Sequence, residues 1–122
     1  MATESVKHVS HSEMVKVLAK PGLQIIEQLT PENAHLWHMA SCICGEGGEL
    51  FDAIKKPAIY GKPIDRENVV EELGDLEFYM EGLRQGLGIT REETITHNTA
   101  KLSERYGKVY SNQAAIERSD KQ

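Results

Sequence analysis

Two pairs of carboxylates stand out in the sequence, Glu46 with Glu49 and Glu72 with Asp75. The acids of each pair are three residues apart, and on a helix this spacing puts both side chains on one face, with Cβ atoms about 5–6 Å apart. Four acids that converge between packed helices repel one another unless a hard cation lies among them. Mg²⁺ is the usual cation where every ligand is oxygen. The two pairs therefore predict a magnesium site and chemistry at phosphate groups.

The register of Glu46 supports this prediction. Glu46 falls in step with an apolar series at helical spacing, at a position where a leucine is expected. An unpaired carboxylate buried at such a position would cost several kcal/mol of stability. A ligand role therefore explains Glu46 better than a solvated surface role does. The apolar series consists of Leu36, Met39, Ile43, Leu50 and Ile54.

Helix start and stop signals are frequent and strand signals are weak, so the sequence predicts an all-α fold. Thr30 as N-cap and Pro31 at the first helical position begin one long helix. Residues 57–64 contain two prolines and a glycine and are interpreted as a loop. Asp65 caps a second long helix that ends near Gly88, and Thr90 caps a third helix. Shorter helices are expected at about 12–20 and 23–29.

The second long helix carries apolar residues at alternating spacings of four and three, a seam typical of helix bundles. Two long helices and a medium one are too few to close a bundle. We therefore expect two long antiparallel helices plus shorter ones, completed by homodimerisation. We expect a flexible N-terminus at 1–12, one all-α domain at 13–110 and a polar tail at 111–122 that runs as an extended strap. The seam residues are Val69, Leu73, Leu76, Met80, Leu83 and Leu87.

Composition narrows the function classes. The net charge of −5 argues against a nucleic-acid polymer as partner, because neutralising a phosphate backbone needs a basic face. No window approaches the roughly 20 apolar residues of a membrane span, and the start lacks the apolar core of a signal peptide. Cys42 and Cys44 point to different faces of a helix, so we expect free thiols. A cytoplasmic protein is the expectation.

On the third helix, Asn98, Lys101 and Arg105 share one polar, cationic face. Together with residues elsewhere they give a resemblance to a known family. The other matching residues are His38, 45–50, 52–56, Tyr60-Gly61-Lys62, 71–75, Leu102, Tyr106, Ala115 and Arg118. With them, residues 13–121 resemble the MazG-like nucleoside triphosphate pyrophosphohydrolases, an all-α group that includes dimeric dUTPases and phosphoribosyl-ATP pyrophosphatases.

One E-x-x-E pair alone is a weak signal. Both acidic pairs, followed in order by the asparagine, lysine and arginine, form a pattern that is specific to this family. Family members commonly have a proline after the Arg-Tyr pair, where this chain has Gly107.

The resemblance implies a homodimer or homotetramer, and cleavage of a nucleoside triphosphate to the monophosphate and pyrophosphate. It implies that Mg²⁺, with Mn²⁺ as a substitute, is held between the long helices. Glu49 is the favoured acceptor of the attacking water's proton. The implied metal ligands are Glu46, Glu49, Glu72 and Asp75, and the implied catalytic residues are Glu49, Lys56 and Lys101.

Substrate contacts are implied in the same way. Lys56, Lys101 and Arg105 would neutralise charge on the departing pyrophosphate. Asn98 and Tyr79 suit the sugar or a phosphate. Trp37 and His38 suit the base.

Other interpretations remain open from the sequence. The acids could form a solvated face, Lys55 and Lys56 could be the cationic last turn of a helix, and Trp37 and His38 could be packing residues. The substrate could be phosphoribosyl-ATP. The chain could also be a non-catalytic helical interaction module with a structural metal site. A di-iron bundle is disfavoured because neither acidic pair supplies the Glu-x-x-His ligands that such a bundle needs.

Overall fold

The computed structural model describes Lys7, residues 10–107 and residues 109–118. Every regular element among these residues is a helix, which confirms the all-α prediction. Most of the predicted flexible N-terminus, and the end of the tail, lie outside the described residues. The helices are α1 (His11–Leu18), α2 (Gly22–Gln28), α3 (Pro31–Tyr60), α4 (Arg66–Leu87), α5 (Arg91–Tyr106) and α6 (Asn112–Glu117). None of them is long and apolar enough to cross a bilayer.

The three predicted N-caps are present. The Thr30 hydroxyl accepts a hydrogen bond from the Asn33 backbone N–H at 3.1 Å, which confirms the predicted start of α3. Asp65 accepts from the Asn68 N–H at 3.2 Å and Thr90 from the Glu93 N–H at 3.0 Å. Each cap satisfies one of the backbone donors that a helix leaves free in its first turn.

The predicted loop at 57–64 is shorter in the structure. Helix α3 continues through Pro57 to Tyr60, and the loop is confined to residues 61–65. A proline has no backbone N–H and cannot donate the usual hydrogen bond within the helix. In α3 the helix nevertheless continues on both sides of Pro57. The helix ends at Gly61, whose φ of 65° lies in the left-handed region that glycine adopts readily.

Within the described residues 111–118, the tail is not an extended strap. Helix α6 forms there and packs against α5. Its N-cap is Ser111, whose hydroxyl accepts from the Ala114 N–H at 3.1 Å. A serine cap followed by two alanines is a helix-start signal that the expectation of a strap overlooked.

The chain forms two compact units, Met1–Ala34 and His35–Gln122. In the second unit, early residues of α3 contact late residues of α4. The His35 ring donates from Nε2 to the carbonyl oxygen of Gly82 at 2.8 Å. A Cβ at Gly86 would lie 2.7 Å from Cδ2 of His35, so glycine is what allows the helices to come this close. Farther along, Glu46 of α3 meets Glu72 of α4.

The core of the described chain is small. Met39 is its one buried hydrophobic residue, at 7% exposure. The rest of the predicted apolar series on α3 is half-buried or exposed, and Glu46 is half-buried in step with it. Helix α3 therefore has the predicted apolar periodicity. The other helices of the same chain bury its apolar face only partly.

Candidate metal centre

Three carboxylates from two helices come together in the second unit. Glu46 lies on α3, and Glu72 and Asp75 lie one turn apart on α4. One carboxylate oxygen from each of the three lies within 4.8 Å of the others. The i, i+3 spacing aims both α4 acids at the same side of that helix, and the packing of α3 brings Glu46 to meet them.

The electrostatics of this cluster centre on Glu72. Burial raises the pKa of its carboxyl group, and the neighbouring Glu46, Asp75 and Glu49 carboxylates raise it further. Its Oε2 atom is buried and has no hydrogen-bond partner among the described residues. A buried polar atom without a partner is costly.

A divalent cation fits these residues. It would pair with the orphaned oxygen of Glu72 and offset the repulsion among the three anions. Ligands that are all carboxylate oxygen suit a hard ion such as Mg²⁺. Glu46, Glu72 and Asp75 are therefore the residues that could hold it.

Glu49, the fourth acid of the predicted set, is not a member of this three-oxygen group. Its side chain is exposed, one turn beyond Glu46 on α3. It still acts on Glu72 electrostatically and lines a cleft together with it. Glu49 is thus at the edge of the cluster, on the side that opens to solvent.

The cleft beside Glu49 and Glu72 has a volume of about 290 Å³ and lies between α3, the loop after it and α4. Lys56 and Lys62 both line it. The sequence prediction included Lys56 and assigned no role to Lys62. The sequence did contain a signal that Lys62 could line this cleft, because Lys62 directly follows Gly61, where the chain turns back toward α4. Two cations beside an anionic cluster form a surface that suits a metal-bound polyphosphate.

Aromatic and thiol groups occupy the other side of the cluster. His38 and Tyr79 face each other with ring centroids 6.3 Å apart. The pKa of Tyr79 is raised, chiefly by Cys42 and also by burial and by the Glu46 and Asp75 carboxylates. The sequence analysis expected Cys42 to be a free thiol, so its electrostatic influence on Tyr79 is a feature that the structure adds.

The remaining predicted residues do not line the cleft. Trp37 is 69% exposed on α3, next to His38. Asn98 is exposed on α5, and Lys101 and Arg105 are half-buried there. The Arg105 guanidinium lies 5.7 Å from the centroid of the Tyr106 ring. The described chain thus gathers the acids, Lys56, His38 and Tyr79 along α3 and α4, and carries the other three polar residues on α5.

A larger cleft, of about 620 Å³, lies near the end of α4 and is lined by Glu77, Glu81 and Arg84. Arg84 is 8% exposed, and its Nη2 lies 3.4 Å from Glu81 and 3.9 Å from Glu77. These two acids already have a cationic partner. Among the described residues no ion pair to a cationic side chain is seen at Glu46, Glu72 or Asp75, so these three acids are the better candidates for a metal centre.

Comparison with known proteins gives one match. A family model described as MazG nucleotide pyrophosphohydrolase domain matches residues 35–110, more than half of the chain. The matched range contains both acidic pairs and the other predicted site residues, including His38 and Arg105. No curated protein and no solved structure matches the chain.

The raised pKa of Glu72 predicts how the stability of the metal-free protein depends on pH. The folded state binds this proton more tightly than the unfolded state, so Glu72 contributes most stability below its ordinary pKa of 4.5, and that contribution is lost as pH rises through the raised value. The substitution Glu72→Gln, which cannot ionise, should leave the melting temperature in EDTA unchanged below pH 4.5 and raise it by a few degrees at about pH 8.

Thermal unfolding followed by circular dichroism, with EDTA and with Mg²⁺, measures both effects. Mg²⁺ should stabilise the natural protein and have little effect on the variant. The control is Glu71→Gln, an exposed neighbour on α4 that should behave as the natural protein. Equal melting temperatures for Glu72→Gln and the natural protein at about pH 8 would contradict the crowding of anions around Glu72.

Proposed function

Because the chain belongs to the MazG nucleotide pyrophosphohydrolase family, we propose that it hydrolyses a (deoxy)nucleoside triphosphate to the nucleoside monophosphate and pyrophosphate. We propose residues 13–110 as the catalytic domain and Mg²⁺ as the cofactor, with Mn²⁺ as a substitute. The observation that supports this most directly is the orphaned oxygen of Glu72 inside a cluster of three carboxylates, beside a cleft that carries two lysines.

In this proposal Glu46, Glu72 and Asp75 hold the metal, and Glu49 joins them from the cleft side. Bound Mg²⁺ supplies Lewis-acid polarisation of the phosphate oxygens and lowers the pKa of a bound water. The residues of the chain do the rest. Glu49 is exposed toward the cleft, where its carboxylate can accept the proton of the attacking water.

The surroundings of the cluster suggest how the substrate lies. Lys56 and Lys62 line the cleft on one side and would neutralise the pyrophosphate as it leaves. His38 and Tyr79 lie on the other side, where the nucleoside would extend. Trp37 remains a proposed base contact, Asn98 a proposed sugar or phosphate contact, and Lys101 and Arg105 proposed phosphate contacts, all on the strength of the family likeness.

The assembly is part of the same proposal. We propose that α3 and α4 form an antiparallel pair and that further copies of the chain complete the bundle as a homodimer or homotetramer. Large apolar side chains on the second unit support this, since Trp37, Phe51 and Phe78 are 69%, 64% and 67% exposed. Exposed apolar surface of this kind marks contacts between proteins.

The proposed reaction can be tested directly. The purified protein, incubated with Mg²⁺ and a panel of nucleoside and deoxynucleoside triphosphates, should release pyrophosphate and a monophosphate from at least one of them. Release of orthophosphate alone, or of nothing, would show that the reaction class is wrong. In Glu49→Gln, kcat should fall by about 10²- to 10⁴-fold, the usual contribution of a general base, with an unchanged helical circular dichroism spectrum. Full activity in this variant would remove Glu49 from the mechanism.

The two cleft lysines give a further prediction. Lys56→Met and Lys62→Met should each lower kcat/KM by about tenfold or more, because each removes a positive charge beside the leaving pyrophosphate. Lys55→Met is the matched control, since Lys55 is next in sequence to Lys56 and does not line the cleft. Steady-state kinetics of the three variants make the comparison. A similar loss of kcat/KM in all three variants would mean that the overall charge of the protein matters and that the position of each lysine does not.

The proposed assembly also gives a prediction. Sedimentation velocity at micromolar concentration should show a dimer or tetramer, because the exposed apolar faces of α3 and α4 need a partner. A monomer would contradict the proposed assembly. This measurement does not depend on turnover.

A further inference from the structure

The side of α4 that carries two acids of the candidate metal centre continues one turn toward the start of the helix. Asn68 lies four residues before Glu72, and Asp75 lies three residues after it, so the three side chains share one side of α4. At a rise of about 1.5 Å per residue, Asn68 is about 6 Å from Glu72 along the helix axis, in the direction away from Asp75. Asn68 lines the same cleft as Lys56 and Lys62. The sequence analysis assigned no role to this residue.

The first turn of α4 fixes the backbone of Asn68. Its N–H donates to the Asp65 carboxylate at 3.2 Å, in the cap that begins the helix. Asn68 is half-buried, and among the described residues its side-chain amide makes no hydrogen bond. The cap uses the backbone of Asn68 and not its side chain. The amide, which carries two donor hydrogens and an acceptor oxygen, is therefore available to a ligand in the cleft.

The Asn68 amide is important because acids outnumber cations along the cleft. Of the described residues that line it from the α4 side, Asn68 alone has a side chain that can donate a hydrogen bond, since Asp65 and Glu72 only accept when ionised. A phosphate group in this part of the cleft is repelled by the carboxylates and needs donors on both walls. The lysines supply donors from α3 and the loop, and Asn68 supplies them from α4. The carboxylates that line the cleft belong to Glu49, Asp52, Asp65 and Glu72, and the ammonium groups to Lys56 and Lys62.

The order of residues along α4 indicates which phosphate would reach Asn68. In the proposed orientation the nucleoside lies toward His38 and Tyr79, and the metal lies at the three carboxylates. Asn68 lies beyond those carboxylates, at the opposite end from Tyr79, so it meets the end of the phosphate chain. We propose that Asn68 donates a hydrogen bond to the terminal phosphate and thereby makes the site prefer triphosphates to diphosphates, an inference that rests on the function proposed above.

The test compares the binding of triphosphates and diphosphates of the same nucleoside. The probes are α,β-methylene analogues of the common deoxynucleoside tri- and diphosphates, in which carbon replaces the oxygen of the bond to be cleaved. Calorimetry with Mg²⁺ gives each Kd without turnover. Asn68→Ala should weaken triphosphate binding by about tenfold or more, the range for a hydrogen bond to a charged group, and change diphosphate binding by less than about twofold.

A second variant separates contact with the substrate from folding. Asn68→Asp replaces the donor with a further carboxylate, so it should weaken triphosphate binding more than Asn68→Ala does. An aspartate in the first turn of a helix interacts favourably with the helix dipole, so this variant should unfold at the temperature of the natural protein or above it. Thermal unfolding followed by circular dichroism checks this. Glu67→Gln is the matched control, because Glu67 is an exposed neighbour in the same turn that does not line the cleft.

Several results would overturn the inference. These are an unchanged triphosphate Kd in Asn68→Ala, an equal loss of affinity for triphosphate and diphosphate in that variant, or natural affinity in Asn68→Asp. If the natural protein releases pyrophosphate from a triphosphate while Asn68→Ala binds as tightly as it does, the proposed function stands and the role of Asn68 falls. If the natural protein neither binds nor cleaves any of the nucleotides, the inference and the proposed function fail together.

Discussion

Glu46, Glu72 and Asp75 each place a carboxylate oxygen within 4.8 Å of the others where α3 meets α4, and these three anions repel one another. Part of the cost is already visible in the protein alone, where burial and three neighbouring acids raise the pKa of Glu72. Its buried Oε2 atom has no hydrogen-bond partner among the described residues. A divalent cation resolves both problems together, which is why this cluster, and not the larger cleft near Arg84, is the centre of the chemistry we propose.

The side chains around the acidic cluster differ in chemistry between its two sides along the helix axes. On one side the chain carries Lys56 and Lys62, which suit the phosphate end of a substrate. On the other side it carries Tyr79 and His38, whose rings face each other and suit contact with a nucleoside. Helices α3 and α4, with the loop between them, carry all of these side chains. A nucleotide bound in this orientation would contact charged side chains at its phosphate end and aromatic side chains at its nucleoside end.

Much of the local structure was predictable because it depends on nearest neighbours in sequence. The starts of α3, α4 and α5 followed from Thr30, Asp65 and Thr90, whose side chains reach only three residues along the chain. The same locality explains the two errors. Pro57 was interpreted as a helix breaker, although one missing hydrogen bond does not end a long helix. The tail was interpreted by its polarity, although a serine cap was enough to begin α6.

The sequence by itself determined which side chains share a helix face, because the period of the helix sets that geometry whatever packs around it. It therefore predicted the pairing of Glu72 with Asp75, and it indicated from the register of Glu46 that this acid turns inward. Only the tertiary structure decided that Glu49 lies at the edge of the cluster, that Lys62 comes to line the cleft and that the ring of Tyr79 faces His38. These facts depend on the distance and rotation between α3 and α4 and on the path of the loop at 61–65. Both are set by the packing of many side chains together, and no spacing within one helix encodes them.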